Sequence, residues 1–212
     1  MSDGRIARWS PVSGFVFVAL FVVGIILNSD VPGAGSSDAK IRSYFSDDGN
    51  QLKLEVAYYV VTVGVAFFIW FVGLVAGRVR EAEGQGAWLA RIVVASGTAS
   101  ALVMLAGFAA NSMVAATADH TTRFRIDPDT ARVITDFAYP LTFETGLPLA
   151  APFVLATALA LRQGDVIPRW LGWAGIAVAF TCIVGFLGVP MALFFAWVVI
   201  LGVLLLRRRH PA

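Results

Sequence analysis

One carboxylate, Glu144, lies inside an apolar stretch running from Phe137 to Leu161. It sits seven residues past the start of that stretch, about 10 Å deep at about 1.5 Å per helical residue. A lone charge one third of the way through a hydrocarbon core about 30 Å thick costs at least about 2.5 kcal/mol. Pro140, Pro148 and Pro152 share the stretch with Gly146. Each proline removes a helical N–H and crowds the preceding turn, and the carbonyls so released need other donors, for which Thr142 and Thr145 are at hand. A kinked or unwound helix carrying a carboxylate resembles the ion and substrate sites of transporters.

Two other polar residues match Glu144 in depth. Asn111 lies seven residues inside Ala118, near which the third apolar stretch ends, and Thr181 lies at a similar distance from Val189, near the end of the fifth. This predicts a polar layer of Asn111, Glu144 and Thr181, able to bind a small solute or to titrate a proton. The plainer reading is a protonated Glu144 bonded to a neighbouring amide or carbonyl, since burial favours the neutral acid. Cys182, the single cysteine, reads as inert packing. Gly97, Ala101 and Gly107 allow helices to approach closely.

Other chemistry has no carrier here. His120 and His210 lie in different polar segments, too far apart to share a haem or metal within the membrane. There is no His-Glu-x-x-His, no Gly-x-Ser-x-Gly and no phosphate-binding Gly-rich loop with a Lys. No lysine lies in an apolar stretch, so a retinal Schiff base has no anchor. The expectation is a protein that is not an enzyme and takes no cofactor or metal.

The elements that must hold these residues are membrane helices. Of 212 residues, 58% are hydrophobic and 14% charged, and the mean hydropathy is +0.77. Soluble domains run near about 45–50% and about 25%. Six apolar segments follow one another at about 11–27, 54–77, 88–116, 137–161, 170–189 and 190–206, each in or near the roughly 17–25 residues that a crossing helix needs. The fold class expected is all-α, one bundle of six transmembrane helices over residues 1–212. The first segment is longer than the about 7–15 apolar residues of a signal peptide and reads as an uncleaved span. Between the first two spans, Ser36 or Ser37 can cap a short helix from Asp38 to Ser46, with Ile41, Tyr44 and Phe45 on one stripe. Such a helix either lies on the membrane surface or packs over the span ends.

The charges set the orientation. Ten cations, including Arg5, Arg8, Arg78, Arg80, Arg162, Arg169 and the terminal Arg207 to Arg209, fall on one side; six, including Lys40, Lys53 and Arg132, fall on the other. Cytoplasmic loops are rich in Lys and Arg, so both termini are expected in the cytoplasm. With acids counted, the sides carry +6 and −3. The cations sit at span ends rather than in one patch, so no nucleic-acid partner is implied.

Three segments together resemble a group of uncharacterised multi-pass membrane proteins common in actinobacteria. They are Ser37-Asp38-Ala39-Lys40-Ile41-Arg42-Ser43-Tyr44-Phe45, Pro168-Arg169-Trp170-Leu171-Gly172-Trp173, and the arginines after a Trp-containing last helix. The resemblance implies a multi-pass topology in a bacterial inner (plasma) membrane and carries no activity. Two functions stand open: permeation of a small solute or ion by way of Glu144 and Asn111, or a non-transporting subunit that organises lipids, a partner membrane protein or a second copy of itself.

Overall fold

The structure is a computed structural model that describes residues 10–84, 86–120, 125–184 and 188–207. Arg5, Arg8, Arg123, Arg208, Arg209 and His210, used in the sequence reading, lie outside those residues.

Among the described residues the secondary structure is helical throughout. The helices are α1 (Val12–Leu27), α2 (Asp38–Phe45), α3 (Asp48–Glu83), α4 (Trp88–His120), α5 (Pro128–Tyr139), α6 (Leu147–Gln163), α7 (Arg169–Ile183) and α8 (Val189–Arg207). A π-helical segment, Pro140–Gly146, joins α5 to α6 without a break. Four helical stretches are long and apolar enough to cross a membrane: α3, α4, α5 through α6, and α8. The apolar helices α1 and α7 have 16 and 15 residues, about 24 and 22 Å at about 1.5 Å per residue. These features are consistent with a membrane-embedded protein.

Among the described residues, three helices start on side-chain caps. Ser37, Asp47 and Asp127 accept hydrogen bonds from the backbone N–H of Lys40, Asn50 and Thr130 at 3.4, 2.9 and 3.0 Å, satisfying donors that a helix start leaves open. Two of these caps correct the sequence reading. Residues 48–53 and 128–136, expected in polar loops, are the first turns of α3 and of α5. An aspartate cap in each case, with Pro128 preorganising the first turn of α5, starts the helix well before the apolar stretch begins.

The bundle is a ring in which α1, α3, α4, α6, α7 and α8 each pack on the next, with α8 closing on α1. The carbonyl of Pro11 lies against Gly202, so the start of α1 and the latter half of α8 share one end. The same end holds the turn between α3 and α4, where the Glu83 carboxylate accepts from the N–H of Leu89 and Ala90, and Arg162 stacked on Trp173 at 4.6 Å. Aromatic rings fill the middle of the ring. Phe68 meets Phe17, Phe153 and Phe194 at centroid distances of 4.4, 5.6 and 6.0 Å. Trp197 abuts Phe153, and Phe21 abuts Phe108.

At the opposite end α2 forms a cap. Ile41 and Phe45 are buried against Leu54, Val114, Ala115 and Ala131, with Tyr44 packed beside them. Of the two readings of this helix, the structure has the one in which it covers the helix ends. Its apolar stripe is spent on protein contacts.

Candidate functional site

The three residues expected in one polar layer do not meet. Asn111 lies near the capped end of α4, and its Nδ2 donates to Oδ1 of Asn28, the residue that caps the C-terminus of α1, at 2.6 Å. Asn28 in turn donates from Nδ2 to the carbonyl of Gly24 at 3.0 Å. Thr181 spends its hydroxyl on the carbonyl of Val178 in its own helix, at 2.8 Å. Glu144 is exposed on the outside of the bundle, and its carboxylate takes part in no hydrogen bond or ion pair among the described residues.

Local geometry explains why Glu144 turns outward. The π segment runs between two missing donors, Pro140 and Pro148, and such wide turns appear where a helix register is disturbed. Thr142 and Gly146, on either side of Glu144, are the residues that face α4. A Cβ added to Gly107 of α4 would strike Thr142 and come within 2.8 Å of the Ala138 carbonyl; one added to Gly146 would lie 2.6 Å from Met104. The Ser100 hydroxyl donates to the Gly146 carbonyl at 2.6 Å. Two residues along a helix is roughly half a turn, so a residue midway between two inward ones must look out. Depth also separates the pair. Thr142 and Gly146 fix Glu144 at the level of Met104 to Gly107, and Asn111 lies four residues beyond Gly107, about 6 Å nearer the capped end.

A cavity of about 360 Å³ opens beside Asn111. Its walls come from α1, α4, α5 and the π segment, and include Asn28, Asn111, Thr135, Asp136, Tyr139 and Thr142, with Ile25, Phe108 and Phe143 as apolar surface. Phe108, packed edge-on against Phe21 at 5.2 Å, separates it from the aromatic centre. Asn28, Thr135, Asp136 and Tyr139 were missed in sequence. Asn28 ends an apolar run, and the other three fall at or just beyond the edge of what reads as a polar loop. The signal was the Asp127-Pro128 cap, which makes that loop a helix and sets Thr135, Asp136 and Tyr139 on neighbouring positions of it. A second cavity, about 560 Å³, lies between α3, α4 and α5 beside Glu55, Tyr58, Tyr59 and Phe137.

Ion pairs brace the capped end. Arg132 bridges Asp38 and Asp129 at 2.6 Å each and donates to the Ser36 carbonyl at 2.9 Å, which ties α2 to α5. Lys53 pairs with Asp30. The Lys53 ammonium, by hydrogen bond and by charge, holds the Asp30 carboxyl below its ordinary value. Hydrogen bonds from the Thr130 hydroxyl and N–H do the same for Asp127. Burial, with the Asp30 and Asp47 charges nearby, raises the Tyr44 phenol. Among the described residues no three His, Cys, Asp or Glu side chains gather as a metal site requires.

Compared with known proteins, the chain matches no family model, no curated protein and no solved structure. The actinobacterial resemblance therefore rests on the three quoted segments alone.

Proposed function

We propose that the protein is a non-transporting subunit of a bacterial plasma membrane, spanning it six times with both termini in the cytoplasm. Its capped end then faces outward. The four long helices would cross together with α1 and α7, whose shortness the bilayer accommodates by local thinning at fractions of a kcal/mol per Å. Lys and Arg counts of ten against six support the orientation.

The observation that carries the non-transporting reading is the packed centre. Phe17, Phe21, Phe68, Phe153 and Phe194 are all at most 1% exposed and in mutual ring contact. A path for an ion needs polar groups to replace its water; those five rings offer none, and the Trp197 indole N–H buried beside Phe153 is a donor that coordinates no cation. The second support is the outward aspect of Glu144. An intramembrane acid on the lipid side is costly unless another chain satisfies it, which suits a partner helix better than a substrate. Permeation by way of Glu144 and Asn111 has neither a shared cavity nor a contact between the two residues to support it.

Reconstitution tests this. Proteoliposomes with the wild-type chain and with Glu144→Gln should leak protons, sodium and potassium no faster than empty liposomes. Wild-type flux above that baseline, abolished by Glu144→Gln, would overturn the proposal.

A further inference from the structure

The cavity beside Asn111 has a polarity that the hydrogen-bond chain fixes. The Gly24 carbonyl, which already accepts from the Asn28 N–H at 3.1 Å, can only accept, so the Asn28 side-chain atom 3.0 Å from it is Nδ2. The Asn28 oxygen is then the acceptor for the Nδ2 of Asn111. That leaves the Asn111 Oδ1 as the end of the chain, a buried acceptor with no partner on a residue that lines the cavity. The orientation of both amides follows from the Gly24 carbonyl. An acceptor left unmet in a buried place is costly, and a small turn of the Asn111 side chain toward the cavity would let a ligand donor meet it.

A charge of matching sign stands at the rim. Asp136 lines the same cavity, is exposed, and forms no ion pair among the described residues. Tyr139 and Phe143, whose rings sit 4.8 Å apart, add aromatic faces that attract cations. Asn28, Ser29, Thr135 and Thr142 also reach the lining, but most of its surface is apolar, with Ile25, Val31 and Phe108 contributing. A volume of about 360 Å³ falls within the about 300–1,000 Å³ of small-molecule pockets.

We infer that this cavity is a binding site for a small organic ammonium ion with an apolar body. The ammonium would donate to the Asn111 Oδ1, lie within the field of the Asp136 carboxylate, and seat its apolar portion against Phe108. A free amine suits the site better than the amino headgroup of a lipid. A lipid headgroup would bring its phosphate to Asp136 and to a polar end whose charges sum to −3.

The test uses the full chain in phosphatidylcholine nanodiscs, titrated calorimetrically with 4-phenylbutylammonium, 4-phenylbutanol and 4-phenylbutyrate. The ammonium should bind at least about tenfold more tightly than the alcohol, and the carboxylate should not bind, as expected where a charge-assisted hydrogen bond is worth about 1.5–3 kcal/mol. Asp136→Asn and Asn111→Leu should each weaken the ammonium about tenfold, and Asp136→Asn should leave the alcohol unchanged. Asp136 is exposed, so its variant reports even if Asn111→Leu fails to fold. Equal affinity for ammonium and alcohol, or an Asp136→Asn affinity equal to wild type, would overturn the assignment. So would loss of ammonium binding when phosphatidylethanolamine replaces phosphatidylcholine, since the occupant would then be the lipid. None of these outcomes depends on whether ions cross the bundle.

Discussion

The capped end and the middle of this bundle solve the same packing problem with opposite materials. At the capped end, Arg132 ties down α2, Lys53 of α3 holds Asp30 beyond the end of α1, an amide pair links Asn28 to Asn111, and a cavity remains. In the middle, phenylalanine rings from α1, α3, α6 and α8 pack directly on one another. Where water is near, polar pairing is cheap and gaps can be wet. Within the hydrocarbon, dispersion between close surfaces holds helices together, and a void forfeits those contacts. The difference places the cohesion of the bundle at its centre, and the recognition proposed above at its capped end.

The strongest way to break the comparison is to hollow the centre. Phe68→Ala should cost about 3–5 kcal/mol, as buried Phe→Ala changes do, whereas Phe180→Ala, on a side chain 69% exposed, should cost little. Thermal unfolding in maltoside micelles would show it, and equal midpoints for the two variants would contradict the assigned roles. Next is the contact of α4 with the π segment. Gly107→Leu should destabilise by about 1–3 kcal/mol, the usual cost of overpacking. Gly73→Leu should be nearly silent, because a Cβ on Gly73 meets nothing within 4 Å. Smaller again is Ser100→Ala, which removes the bond to the Gly146 carbonyl. Polar contacts between membrane helices average about 0.6 kcal/mol, so a shift well above that would mean the hydroxyl also stabilises the π register.

The smallest effect concerns acid and the capped end alone. The carboxyls of Asp30 and Asp127 are lowered in the folded protein. A lowered native pKa contributes stability that is complete above the unfolded value, about 3.9 for Asp, and is lost as the pH falls through the native value. Amide exchange in the first turns of α3 and α5 should therefore quicken below about pH 4, with the aromatic centre unaffected. Loosening of the centre first would reverse the comparison.

Particular residues show what was legible in the sequence. The stripe of Ile41, Tyr44 and Phe45 announced α2, and the bilayer-length apolar runs announced the long helices, because burial in a uniform solvent writes a simple pattern. The early starts of α3 and α5 were obscured by their charge. Asp47 and Asp127 are polar, like loop residues, yet they act as caps. The direction of Glu144 was hidden for a different reason. Depth along a helix can be counted from sequence, but facing depends on which side meets a neighbour, and a π turn alters the angular count. Asn111 shows the same limit, since its partner, Asn28, lies 83 residues away in the chain.

The outward aspect of Glu144 can be read directly with a nitroxide. In a Cys182→Ala background, Glu144→Cys labelled with the spin probe and reconstituted in liposomes should collide often with oxygen and rarely with a water-soluble nickel chelate, the pattern of a side chain in lipid. Ready access for the chelate would place the residue in a water-filled passage and contradict the account.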